Sequence, residues 1–202
     1  MAKRESTFIN MVVTLLLVTG IAAAALGFVY NITLEPIAAA KLKAQQEAIT
    51  KVLPEYDELG ESFKTIAEAG EDSLEFFPAF KNGELVGTAI MTYTKNGFSG
   101  FISIMAGIDK AGNISGYSVL EHEETPGLGS KMDVWFNNLE KPNQNVIGKN
   151  PKTSKFGVSK DGGDIDAITA STITSRAFLD ALNRAYISYY KNLDKTSGDS
   201  GN

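Results

Sequence analysis

The chain has 202 residues, of which 43% are apolar and 21% charged, so it can form one domain with a hydrophobic core but not two. Its formal net charge of −5 repels nucleic-acid phosphates and argues against a nucleic-acid-binding protein. It contains no cysteine and one histidine, His122, which excludes disulfides, thiolate zinc sites, iron–sulfur ligation and multi-histidine metal centres. Any redox function therefore requires an imported cofactor.

The first predicted element is a membrane anchor. Residues 11–30 carry no charge, and a helix needs about 20 such residues to cross a bilayer. A basic pair precedes this run, so the positive-inside tendency predicts that residues 1–10 are cytoplasmic and that the rest of the chain is exported. A cleaved signal peptide is the alternative, because the alanines at 22–25 resemble a processing site. The apolar run continues to Tyr30 beyond that site, which favours the anchor.

The next predicted elements are a helical stalk and a sheet. Residues 31–56 are expected to form the stalk, with Pro36 in its first turn and Pro54 as its stop. From Phe76 to Glu121, short runs rich in β-branched and aromatic residues alternate with turn signals, which predicts an antiparallel meander. The turn signals are Asn82-Gly83, Asn96-Gly97 and Gly112-Asn113.

The last predicted element is an amphipathic helix. Between Ser175 and Leu193, apolar residues recur at three- and four-residue spacings. Residues 194–202 are small or polar and are expected to form a disordered tail, so the predicted domain spans residues 57–193. The order of elements indicates an α+β fold, in which a single N-terminal transmembrane helix precedes an exported domain with an antiparallel sheet and flanking helices.

Hydroxyl side chains crowd the start of this last helix, in the sequence DAITASTITSRAF of residues 166–178. Ser, Thr and Asp accept hydrogen bonds from the unpaired amides of a first helical turn, which explains one or two of these residues as caps. The remaining hydroxyls exceed what a cap requires. A helix start also favours a phosphate through its amides and its dipole, so the segment is a candidate site for a phosphorylated ligand.

This segment resembles the flavinylation motif D-x-x-[ST]-G-A-[ST] of FMN-binding subunits in the Rnf and sodium-translocating NADH:quinone reductase complexes. The resemblance implies that the hydroxyl of Thr172 forms a phosphoester with FMN. Ala170 and Ser171 replace the Gly and Ala of the family pattern, which leaves Thr174 as a second candidate acceptor. If the backbone required a positive φ at this point, Ala170 would be strained. The resemblance assigns to the cofactor site Asp166, Thr169, Ala170, Ser171, Thr172 and Thr174.

A second segment, HEETPGLG at residues 122–129, is similar to the H-x-E-T-P-G-L-G segment of the same family. The family implies that it wraps the isoalloxazine ring of FMN, with Leu128 as an apolar surface. Glycines at two positions let the backbone approach a flat ligand closely. An ordinary turn with a solvated acidic flank is the alternative; His122 is expected to be a hydrogen-bonded structural residue, and no metal site is predicted. The cofactor-binding residues implied here are Glu124, Thr125, Gly127, Leu128 and Gly129.

Together these features imply a membrane-anchored flavoprotein, most similar to the G subunits of Rnf-type ion-translocating ferredoxin:NAD oxidoreductase complexes. Such a protein relays electrons through covalent FMN on Thr172 and catalyses nothing alone. The expected partners are the other membrane subunits and an ApbE-type flavin transferase with FAD as donor. The expected location is the plasma (inner) membrane, with the flavin domain on its outer or periplasmic side. The alternatives are a C-subunit-like component of the quinone reductase, a free-standing exported flavoprotein and a flavin-free scaffold domain.

Overall fold

The computed structural model describes residues 7–66 and 72–196. The chain divides into two compact units, Met1–Ala44 and Gln45–Asn202. Residues 8–44 of the first unit are helical, and the second unit contains a sheet and the remaining helices.

Helix α1 runs from Phe8 to Val52. In the described part of the chain it is the one helix long and apolar enough to cross a membrane, and its apolar stretch is exposed. Pro36 lies inside α1, so the predicted first-turn position is wrong. Good helix formers, mostly Ala, Lys and Gln, follow it and continue the helix past the hydrogen bond that proline removes. Of the predicted cytoplasmic segment, residues 1–6 lie outside the described residues, and residues 8–10 belong to α1.

An antiparallel sheet forms the centre of the second unit. Its strands are β1 (Glu58–Leu59), β2 (Phe63–Ile66), β3 (Ser73–Lys81), β4 (Glu84–Thr94), β5 (Ile102–Asp109) and β6 (Ile114–His122). In the described residues the strand order is β1-β3-β4-β5-β6, and β2 also pairs with β3. Asn82 and Gly83 have φ of 52° and 77°, as a two-residue hairpin turn between β3 and β4 requires. The predicted meander is confirmed.

Helix α3 (Thr172–Lys191) packs on one face of the sheet, where it contributes buried apolar residues to the larger core cluster. The ring of Phe178 stacks on that of Phe136 with 4.4 Å between centroids. Thr92 Oγ1 of β4 donates a hydrogen bond to the carbonyl of Ala181 at 3.0 Å. The helix begins at Thr172, three residues before the predicted start. The prediction was late because the first residues of the helix carry hydroxyls and lack the apolar spacing on which it was based.

A short helix, α4 (Leu193–Thr196), follows α3. Thr196 is buried, and its Oγ1 donates a hydrogen bond to the carbonyl of Leu193 at 2.8 Å. Residues 194–196 of the predicted disordered tail belong to α4. The rest of that predicted tail lies outside the described residues.

The end of α1 packs on the other face of the sheet. The residues of this second apolar cluster are Ala48, Ile49, Val52, Leu53, Ala79, Ala89 and Met105. Ser115 Oγ donates a hydrogen bond to the carbonyl of Val52 at 2.6 Å. A Cβ added to Gly107 would collide with the same carbonyl, so a glycine is needed for this close packing. Residues 48–53 and α3 thus cover opposite faces of the sheet.

The chain between β6 and α3 is mostly loop, and it carries residues 123–129 of the first segment singled out in the sequence and residues 166–171 of the second. It contains α2 (Met132–Trp135) and two short 3-10 helices, Gly129–Lys131 and Ser159–Asp161. The hydroxyl of Tyr117 in β6 donates to the carbonyl of Met132 at 2.8 Å. Burial raises the pKa of Tyr117, so this donor keeps its proton. The contact fixes the start of α2 against the sheet.

Candidate functional site

A tight turn leads into α3. The amide of Ser171 donates to the carbonyl of Ile168 at 2.9 Å, which closes the turn. The buried hydroxyl of Ser175 accepts a hydrogen bond from the amide of Ile168 and donates one to the carbonyl of Ser171, both at 2.9 Å. One serine side chain therefore ties the start of α3 to the turn that precedes it.

Ala170 has a φ of 62°, in the left-handed region. A residue with a Cβ is strained there by about 1–2 kcal/mol, whereas glycine is not. The family pattern has Gly at this position, and Ala170 has the positive φ at which strain was anticipated. The hydrogen bonds of Ser171 and Ser175 hold the turn in this conformation.

The first turn of α3 offers free hydrogen-bond donors. Its N-cap residue, Ser171, makes no side-chain capping hydrogen bond. In the described part of the chain, the amides of Thr172, Ile173 and Thr174 have no hydrogen-bond acceptor. Helix capping alone therefore does not account for these hydroxyls, and the amides are available to an anion.

A cavity of about 300 Å³ lies at this helix start. Three segments far apart in the sequence form it: the loop between β4 and β5, the segment after β6, and the start of α3. Phe98, Leu128 and Ile173 give it apolar walls, although they are 67%, 40% and 47% exposed. The two motif segments of the sequence therefore meet in space. The remaining lining residues are Glu124, Thr125, Gly129, Ala170, Ser171, Thr172 and Thr174.

Glu124 presents a buried carboxylate to this cavity. Its Oε2 accepts a hydrogen bond from Thr174 Oγ1 at 2.7 Å, and its Oε1 accepts one from the amide of Ser99 at 3.2 Å. The amide of Glu124 donates to His122 Nδ1 at 3.1 Å, which is a structural hydrogen bond of the kind expected for the single histidine. One side chain thus contacts all three segments that form the cavity.

The two candidate acceptors differ in accessibility. Thr174 is 1% exposed, and its hydroxyl donates a hydrogen bond to Glu124. Thr172 is partly exposed and lines the cavity, and its hydroxyl has no hydrogen-bond partner among the described residues. The oxygen of Thr172 is therefore the more accessible nucleophile.

The two glycines of the HEETPGLG segment have different surroundings. A Cβ added to Gly129 would lie 2.5 Å from Glu124 Oε2 and 2.8 Å from Thr174 Oγ1. Gly129 therefore makes room for this carboxylate and hydroxyl, which the sequence did not predict. Gly127 does not line the cavity; it has a φ of 76° in a turn, and its amide donates to Ser130 Oγ at 2.9 Å.

A second cavity, of about 370 Å³, lies beside the first, and Ala170 lines both. Asp166 and Thr169 line this second cavity, so the structure separates the acid of the motif from the Thr172 hydroxyl. The indole of Trp135 donates to the carbonyl of Asp166 at 2.9 Å. The other lining residues are Gln144, Ser159, Lys160, Ala167 and Ile168.

An ion pair joins the loop beside the second cavity to α3. Nε and Nη2 of Arg176 donate to the two carboxylate oxygens of Asp161 at 2.7 and 2.9 Å. These hydrogen bonds hold the pKa of Asp161 below its usual value. Both side chains are exposed, so the pair orients the loop more than it stabilises the fold.

Sequence reasoning missed several lining residues. Phe98 in the first cavity, and Trp135 and Lys160 in the second, lie in no motif. Ile173 lies in the hydroxyl-rich segment but was not assigned to the site. An aromatic residue inside the glycine-rich turn KNGFSG was the signal that could have identified Phe98.

Known proteins resemble this chain in sequence. Residues 97–187 match the family model of the FMN-binding domain. The G subunit of the Na(+)-translocating ferredoxin:NAD(+) oxidoreductase complex from Acetobacterium woodii is 32% identical over 195 residues, which cover 90% of each chain. The G subunit of an ion-translocating oxidoreductase complex from Aliivibrio fischeri is 33% identical over 182 residues, 84% of each chain. Its counterpart from Yersinia pestis is 41% identical over 111 residues, 53% of this chain and 51% of that one. The chain therefore belongs to the family of G subunits of Rnf-type ion-translocating oxidoreductase complexes and contains an FMN-binding domain.

Proposed function

We propose that this chain is a membrane-anchored electron-relay component of an Rnf-type complex and that it carries FMN covalently on Thr172. The observation that carries the proposal is the first cavity, where an accessible hydroxyl, free amides and apolar walls meet. The names of the relatives support membership of an ion-translocating complex. The covalent link rests on the geometry around Thr172 together with the motif.

The residues of the cavity fit the parts of FMN. The free amides of Thr172, Ile173 and Thr174 would hold the phosphate, because a helix start favours an anion. Phe98 and Leu128 would contact the flat ring through apolar surface. The volume lies at the lower end of the roughly 300–1,000 Å³ found for ligand pockets, which suits a ring that stays partly exposed. When bound, FMN supplies reversible electron acceptance and donation.

The covalent link requires FAD as donor and an ApbE-type transferase as catalyst. The hydroxyl oxygen of Thr172 attacks the phosphorus on the riboflavin side of FAD and forms a new P–O bond. The P–O–P bridge breaks, AMP leaves, and the hydroxyl proton passes to a base. The free amides at the helix start would stabilise the resulting phosphoester.

A covalent tether suits an exported redox domain. Free flavin outside the cell cannot be relied on to refill an empty site, and a tether makes binding intramolecular. The ring contacts then need only to orient the flavin. The basic pair before α1 supports an orientation with the domain on the outer or periplasmic side of the membrane.

Fluorescence after denaturing electrophoresis tests the covalent link. The wild-type chain, produced together with the transferase, should give a fluorescent band under ultraviolet light. Thr172→Val should abolish the band because the methyl group replaces the nucleophile at similar size, and Thr172→Ser, the matched control, should keep it. A fluorescent Thr172→Val band would refute the assignment of the acceptor.

Copurification tests the place of the chain in a complex. From its native membrane, the full chain should purify with integral-membrane redox subunits after mild detergent extraction. A flavinylated chain that purifies alone under these conditions would instead indicate a free-standing exported flavoprotein.

A further inference from the structure

Glu124 joins the three segments that form the first cavity. Its side chain accepts a hydrogen bond from the amide of Ser99, which follows Phe98 in the loop between β4 and β5. It also accepts a hydrogen bond from the hydroxyl of Thr174, which lies two residues after Thr172 in the first turn of α3. Glu124 itself begins the segment that ends with Leu128 and Gly129 at the cavity. One buried carboxylate thus links the loop that carries Phe98 and the segment that carries Leu128 to the first turn of α3, on which Thr172 lies.

The surroundings of Glu124 are shaped to its carboxylate. A Cβ added to Gly97 would lie 2.7 Å from Oε1, and one added to Gly129 would lie 2.5 Å from Oε2. A side chain at either position would crowd the carboxylate, and at Gly97 it would also meet the carbonyl of Gly100. Two glycines, one from each loop, therefore leave the space that this side chain occupies.

Stability alone explains this arrangement poorly. Glu124 is 4% exposed, and no salt bridge to it is formed among the described residues. A buried carboxylate without a cation is costly, even with two hydrogen bonds. In some proteins, buried polar groups with specific partners select one conformation rather than add stability. The conformation selected here is the position of the first turn of α3 against the two loops.

We infer that Glu124 is the positioning residue of the flavin site: it fixes the first turn of α3 and holds the Thr174 hydroxyl, so that Thr172 alone accepts the flavin. This inference rests on the proposed function. Thr174 Oγ1 donates a hydrogen bond to Glu124 and is 1% exposed, and this burial keeps its oxygen from the flavin donor. Thr172 keeps its partly exposed position because the same hydrogen bond fixes the turn on which it lies.

The test compares single-turnover flavinylation of purified variants by the transferase with FAD. Glu124→Ala should slow labelling of Thr172 by roughly ten- to hundredfold, since displacing a reacting group by about 1 Å has an effect of this size. Glu123→Gln, the matched control, changes an exposed neighbouring carboxylate and should leave the rate within about twofold. Peptide mapping should find part of the remaining label on Thr174, whose hydroxyl is released.

The partner side of the hydrogen bond gives a second variant pair. Thr174→Val keeps the shape and removes the donor, so it should slow labelling as Glu124→Ala does. Thr174→Ser keeps the donor and should restore the wild-type rate. The visible spectrum of the attached flavin should shift in Glu124→Ala and Thr174→Val only. This pair decides the question even if Glu124→Ala does not fold.

The outcomes separate this inference from the proposed function. If the wild-type chain takes no label, the proposed function fails and the inference fails with it. If the wild-type chain is labelled on Thr172 and Thr174→Val matches Thr174→Ser in rate and spectrum, the inference is overturned while the proposed function stands, whether or not Glu124→Ala folds.

Discussion

At the scale of single residues, the backbone of the site is strained at Ala170. Its φ of 62° is one that glycine adopts freely. Ala170→Gly should raise the free energy of unfolding by about 0.5–1 kcal/mol. The strain relieved in the folded chain outweighs the conformational entropy that glycine adds to the unfolded chain. Denaturation in detergent, followed by the fluorescence of the single tryptophan, Trp135, measures the change.

The control for this substitution is Ala111→Gly. Ala111 is exposed and has no positive φ, so glycine there should lower the free energy of unfolding or leave it unchanged. An Ala170→Gly chain no more stable than the wild type would show that the turn is not strained.

Leu128 should tune the flavin through apolar contact. It lines the first cavity and is 40% exposed. Leu128→Asp should shift the visible absorbance of the attached flavin without removing the tether, because a carboxylate would replace apolar surface beside the ring. Val134→Asp makes the same change on α2 at a residue that lines neither cavity, and its spectrum should match the wild type. Identical spectra for the two variants would contradict the ring contact.

The candidate site could be predicted only in part from its residues. The two motifs contain Glu124, Leu128 and Thr172, so the sequence could assign these residues to one cofactor site. All three line the first cavity. The role of Gly129 did not, because its neighbour, the Glu124–Thr174 pair, forms only when β6 and α3 meet in space. The separation of Asp166 from Thr172 likewise depends on the turn at Ala170, which sequence spacing does not reveal.

At the scale of elements, local turn chemistry explains what could be predicted. Asn82-Gly83 specifies a hairpin through its own backbone preferences, so β3 and β4 were predictable. The strands β1 and β2 span two and four residues, too short for a periodic pattern. The start of α3 was placed late because its first residues are polar. Thr174 is bonded to Glu124 and Ser175 to Ile168, and neither hydrogen bond can be read from sequence spacing.

The packing of the end of α1 on the sheet gives a prediction at this scale. Gly107→Ala should lower the free energy of unfolding by about 1–3 kcal/mol, since the new methyl group would meet the carbonyl of Val52. Gly157→Ala is the control: the nearest atom would lie 3.7 Å from its Cβ, an ordinary contact. The same denaturation curves measure both. Equal midpoints for the two variants would contradict the close packing of Val52 on β5.

At the scale of the whole molecule, the second unit should suffice for flavinylation. A chain beginning at Gln45 keeps residues 48–53, which cover one face of the sheet, and loses the apolar stretch of α1. It should fold in water and take the label from the transferase. A chain beginning at Asp57 also loses that cover, exposes Ala89 and Met105, and should be markedly less stable. Failure of the longer form to fold or to take the label would show that the domain depends on its membrane helix.

The mass of one peptide tests the central claim most directly. Trypsin cleaves after Lys160 and Arg176 and releases residues 161–176, which contain every hydroxyl of the motif. From protein produced with an active ApbE-type transferase, this peptide should weigh more by FMN less one water, with fragment ions that place the addition on Thr172. A peptide with only the mass of its amino acids would contradict the account.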